Sequence, residues 1–120
     1  MGGEGIRWHR TGVTHAGDMQ EGVPARVHVA GKAICLVRWK GRVHALLDRC
    51  PHQGNSFAGG WCEGEHLVCP AHRKGFNLAT GHSRGGGTDR ATVIPVQERP
   101  DGLYVGLARS GLKIFGMRLW

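Results

Sequence analysis

Residues 50–81 read CPHQGNSFAGGWCEGEHLVCPAHRKGFNLATG, and the organisation of the whole chain turns on this stretch. It opens on Cys50-Pro51-His52 and returns to the theme with Cys69-Pro70-Ala71-His72, the two separated by the 16 residues 53–68. Each motif sets a soft thiolate beside an imidazole. Two such loops can meet over one metal centre from opposite sides, each offering one sulfur and one nitrogen donor. A lone Cys-x-His is weak evidence; two such pairs inside one segment form a specific signal. Cys50, His52, Cys69 and His72 are the candidate ligands.

The texture of the chain changes at both ends of this segment. Between Leu47 and Ala91, Gly, Asn, Ser, His, Cys and Pro dominate, and only Leu67-Val68 and Phe76-Asn77-Leu78 look strand-like. Residues 48–90 therefore read as a loop-rich insertion, holding three of the four Cys and four of the eight His. Long loops in a compact domain call for a function, so the chemistry is placed there. Outside it, short β-rich runs alternate with turn signals. Ala25–Val29 and Lys32–Trp39 form a hairpin about Ala30-Gly31, and Lys40-Gly41 turns the chain into Arg42–Leu47. Pro100-Asp101-Gly102 joins Thr92–Glu98 to Leu103–Leu107. Thr14–Glu21 has room for one helical turn, and no repeat, heptad or long helix is visible. The expectation is an all-β meander.

A chain of 120 residues and 13.0 kDa fits a single domain, 1–120, with one modest core. Lys and Arg outnumber Asp and Glu by 16 to 9, giving a charge of +7 and an isoelectric point near 9.9. Such a surface is either simply solvated or a face that docks an acidic partner. The aromatics do not interleave with the cations as a base-stacking platform requires, so no nucleic-acid partner is expected. MGGEGIRW lacks the charged start and apolar core of a secretory signal, and no apolar run nears the roughly 18 residues of a membrane span. A soluble, cytoplasmic chain without a membrane span is expected. In that setting four Cys are metal ligands or plain thiols rather than disulfides.

CPHQGNSFAGG and CPAHRKGFNLATG resemble the cluster-binding signature of the Rieske [2Fe–2S] family. The likeness runs from Trp8, through GVPARVHVAGKAICLVRWKGRVHALLDRC at 22–50, to PVQERPDGLYVGL at 95–107. It implies a β-sandwich base with the cluster-binding subdomain inserted, and one [2Fe–2S] cluster with Cys50 and Cys69 on one iron and His52 and His72 on the other. It also implies a ferredoxin that hands one electron from a flavin reductase to a terminal oxygenase and has no catalytic residues of its own. A small subunit of a nitrite-reductase-like complex is the alternative. A zinc-stabilised interaction module is the third reading, disfavoured because Cys-x-His is tighter than the usual two-to-four-residue zinc spacing.

Neutral imidazoles in place of two thiolates remove negative charge from the cluster, and centres of this type span about −150 to +300 mV against about −400 mV for all-Cys clusters. High-potential members of the family carry an extra Cys in each loop, which would fall at Asn55 and Ala71, and hydroxyl donors that would fall at Lys74 and Phe76. None of these is present here, so the likeness implies a low potential. This chain also departs from many family ferredoxins in having Arg73 and Lys74 after His72, where Gly commonly follows the second His. Two cations there favour an acidic docking partner.

Of the remaining residues, Cys35 reads as a small core residue in an apolar strand, and Cys62 as packing near the cluster. His9, His15, His28, His44, His66 and His82 have no metal-like pairing, with His28 and His44 expected at the surface or edge of strands. Gly85-Gly86-Gly87 lacks the Lys and the helix of a phosphate loop. The tail GLKIFGMRLW, 111–120, is either an edge strand or a partner- or membrane-surface contact.

Overall fold

The computed structural model describes residues 5–51 and 53–108. The tail lies outside the described residues. The expected hairpins form where the turn chemistry placed them. Strand β2 (Ala25–Val29) pairs antiparallel with β3 (Lys32–Trp39), and β3 with β4 (Arg42–Leu47). Both connections are two-residue turns with positive φ at each residue: Ala30 at 51° and Gly31 at 82°, then Lys40 at 53° and Gly41 at 77°. That geometry matches the right-handed twist of the strands it joins.

Three sheets result. β2, β3 and β4 form one with β8 (Val93–Ile94); β1 (Ile6–Arg10), β10 (Gly102–Ala108) and β9 (Val96–Arg99) form a second. β5 (Trp61–Glu63), β6 (His66–Val68) and β7 (Gly75–Asn77) form a third, inserted between β4 and β8. A 3₁₀ turn, Ala16–Asp18, lies inside the stretch where a turn was expected. The all-β expectation holds, and no helix among the described residues is long and apolar enough to cross a membrane.

The continuous apolar run of β3 has a topological cause. Ile34 and Leu36 pack with Ala45, Ile94, Val105 and Leu107, between the first two sheets. Cys35 and Val37 point the other way, joining Leu46, Leu67, Phe76 and Leu78 beneath the inserted sheet. A strand covered on both faces loses its polar alternation. β3 is thus the floor on which the inserted segment rests.

Two expectations need correction. The single strand read over Thr92–Glu98 is broken at Pro95: Val93 and Ile94 pair with β4, whereas Val96–Arg99 pair with β10 in the other sheet. Pro95 has no N–H to continue a ladder, and its carbonyl instead accepts from Gly106 N at 3.0 Å. β5 was not anticipated, because Trp61-Cys62-Glu63 is too short and too mixed to show a period.

Candidate metal centre

The two Cys-Pro motifs fold into matching loops. In the first, Cys50 N donates to Asn55 O at 2.7 Å and Gly54 N donates back to Cys50 O at 2.6 Å. In the second, Cys69 N donates to Lys74 O at 2.8 Å and Arg73 N to Cys69 O at 2.9 Å. Both are six-residue turns closed on a cysteine, and both need a left-handed backbone at the fifth position: Gly54 at φ 79° and Arg73 at φ 56°. The sequence departure at residue 73 is therefore a backbone matter as well as a charge. Arg73 holds a conformation natural to glycine.

Burial divides the candidate donors. Cys50 and Cys69 are 1% and 0% exposed and belong to one contiguous buried cluster with Phe57, Leu67, Phe76 and Ala91. His72 is exposed at the surface of its loop. His52 lies outside the described residues. Among the described residues, no three His, Cys, Asp or Glu side chains are gathered tightly enough to hold one ion. A binuclear cluster asks two protein donors of each iron, and buried thiols with an exposed imidazole suit an inner and an outer iron.

The frame around the loops is tight. Phe57 and Phe76, both fully buried, meet edge to face with ring centres 5.9 Å apart. Phe76 stands where a hydroxyl donor was sought and has none to give. A Cβ on Gly60 would collide with Val68 O and lie 2.9 Å from Phe57 O, so the chain ahead of β5 can run against the second loop only as glycine. The Arg84 guanidinium covers Gly75 and reaches Glu63 at 3.0 Å. The Glu63 carboxyl is held below its ordinary range by the Trp61 indole N–H first and by Arg84 second.

Sequence reasoning passed over Asp48. Its side chain is 0% exposed; Oδ1 accepts from Phe57 N at 2.7 Å, Oδ2 from Ser56 Oγ at 2.6 Å, and Arg26 Nε lies 3.4 Å from Oδ2. No spacing rule marks a single Asp ahead of a loop, because its partners come from β2 and from the far side of the turn. Of the other two thiols, Cys35 is buried in the core as anticipated and Cys62 is half-buried. Burial raises Cys35 far above the ordinary thiol range, and raises half-buried Cys62 to about 11, so both stay protonated. Cys62 packs against the buried apolar side chains of the core group that includes Cys50 and Cys69. His28 is exposed as expected, but His44 is half-buried, and burial followed by Arg42 lowers its pKa.

Charge on the loop rims is unevenly matched. Lys74 Nζ lies 3.9 Å from Asp89, while exposed Arg49 and Arg73 sit over Gly54 and at the matching position of the second loop.

Comparison with known proteins follows the same lines. Residues 9–97 match the family described as the Rieske [2Fe-2S] domain. The chain is 28% identical over 103 residues to human apoptosis-inducing factor 3, covering 85% of this chain and 17% of that protein. It is 36% identical over 70 residues to ferredoxin CarAc of Metapseudomonas resinovorans, covering 58% of this chain and 65% of that protein. The fold superposes with TM-score 0.72 and 30% identity on a chain from the complex of reduced oxygenase and oxidized ferredoxin in carbazole 1,9a-dioxygenase, covering 82% of this chain and 91% of that one.

Proposed function

The chain belongs to the Rieske [2Fe–2S] domain family and carries one such cluster, and from that premise we propose that Cys50 and Cys69 hold its inner iron, His52 and His72 its outer iron, and that the protein relays single electrons from a reductase to a terminal oxygenase-type partner. The cluster supplies a one-electron couple when bound. The observation that carries the reading is the pair of matched loops, each closed on a buried cysteine, with His72 exposed beyond them.

The residues divide the work. Cys50 and Cys69 place two thiolates inside a dry apolar shell, where their charge is unscreened. Exposed His72 offers a short path for an electron to leave. Phe57 and Phe76 exclude water behind the cysteines without adding a hydroxyl donor, which favours a low potential. Arg49, Arg73 and Lys74 make the rim cationic, suited to an acidic docking face. In the carbazole system a ferredoxin and its oxygenase form a complex, and that arrangement is the one proposed here.

The test is direct. Purified protein reduced with dithionite should bleach, show a Rieske electron paramagnetic resonance spectrum, and contain two irons per chain; a colourless, silent protein refutes the reading. His72→Ala should abolish the spectrum while iron falls, because cluster binding and loop folding are coupled. Salt-sensitive electron transfer to an oxygenase supports a diffusible carrier, whereas co-purification with an enzyme would make the chain a fixed subunit.

A further inference from the structure

Asp48 has no part in the ligand set, yet it is the buried carboxylate nearest to it in sequence, two residues ahead of Cys50. Two donors and one cation converge on it from two places: Arg26 on β2 pairs with it, and Ser56 Oγ and Phe57 N, just past the first loop, donate to it. Its own N–H donates to Ala33 O at 2.9 Å, fastening it to the base of β3. Ser56 Oγ in turn accepts from Ala58 N at 3.0 Å. The first loop is thereby tied down at both ends through one side chain.

We propose that Asp48 is a positioning residue that also sets the reduction potential of the centre, acting as a fixed negative charge behind Cys50, with Arg26 as its partial counterweight. The inference rests on the ligand reading above. Its physical basis is an asymmetry in solvation. The Asp48 carboxylate is wholly removed from water, whereas the Arg26 side chain is 45% exposed. Water screens the guanidinium far more than the carboxylate, so at the buried cysteines the negative charge prevails. An electron added to the centre meets that charge, and reduction becomes harder. The hydrogen bonds fix where the charge sits, since Oδ1 and Oδ2 are each committed and the carboxylate has no room to rotate.

The two halves of the pair then move the potential in opposite directions. Asp48→Asn keeps the shape, retains an oxygen for Phe57 N, and can donate to Ser56 Oγ. It should favour reduction by about tenfold in the equilibrium constant, which is about 59 mV for one electron. Arg26→Gln leaves the carboxylate less compensated and should lower the potential. Ser56→Ala removes a donor without changing charge and should lower thermal stability with little effect on potential.

The experiment is a spectroscopic redox titration of the cluster-loaded wild type and the three variants, with thermal unfolding of each. A raised potential in Asp48→Asn together with a lowered one in Arg26→Gln supports the proposal, and the reverse pair of shifts overturns it. Potentials equal to wild type in both, or shifts of one sign in both, overturn it and leave Asp48 a purely structural residue. Should Asp48→Asn fail to hold the cluster, Arg26→Gln alone decides, since its side chain lies at the solvent end of the pair. A wild type without a Rieske spectrum would instead overturn the ligand reading itself.

Discussion

Replacing Arg73 by glycine should make this protein more stable and a poorer electron carrier. Arg73 is at φ 56°, and its N–H closes the second loop on Cys69 O, as Gly54 at φ 79° closes the first on Cys50 O. A left-handed backbone costs a residue with a Cβ about 1–2 kcal/mol. Glycine removes that cost but gains freedom in the unfolded chain, which returns about 0.4–1 kcal/mol. The net gain for Arg73→Gly is about 0.5–1 kcal/mol, or a rise in Tm of about 2–5 °C for a domain near this size. Removing one cation from a chain of net charge +7 also relieves repulsion. Arg73→Ala separates the two effects, since alanine loses the same charge and keeps the backbone constraint. Thermal unfolding should therefore rank Gly above Ala, by a margin that added salt does not erase. Gly equal to or below Ala would refute the backbone argument. Both variants should transfer electrons to an acidic partner more slowly, and the difference from wild type should shrink with salt.

Four further outcomes follow from the packing and the titratable groups. Phe57→Ala should cost about 3–5 kcal/mol, because it removes a fully buried ring packed edge-on against Phe76, and denaturant unfolding measures it. Gly60→Ala forces the backbone of Val68 away and should cost at least about 1–3 kcal/mol with loss of bound iron, measured by iron assay and melting. Cys35→Ser should leave the Rieske spectrum unchanged, since the thiol is buried in the core and kept protonated. His44 has its pKa lowered in the folded state, so the unfolded chain takes up its proton first as pH falls below about 6.5. The stability contribution of neutral His44 is complete above that pH and lost below it, and His44→Gln should flatten the change in urea midpoint between about pH 7.5 and 5.5.

Local chemistry was enough to read much of this protein. The hairpins about Ala30-Gly31 and Lys40-Gly41 are visible because a two-residue turn is decided by the residues inside it. The Cys-Pro-His and Cys-Pro-Ala-His pairs are visible because ligand spacing within one loop is a property of that loop. Tertiary structure alone decided the rest, wherever the cause lies across the fold. Pro95 divides one apolar run between two sheets because β4 and β10 wait on different sides of it. Ile34–Val37 is apolar throughout because one sheet covers each face of β3. Arg73 shows as a cation in the sequence, but its left-handed backbone follows from the bond to Cys69 that closes its loop. Asp48 is one acid among nine until Arg26, Ser56 and Phe57 converge on it from segments far apart in the chain. Burial and charge compensation depend on such neighbours, and no pattern along the chain encodes them one residue at a time.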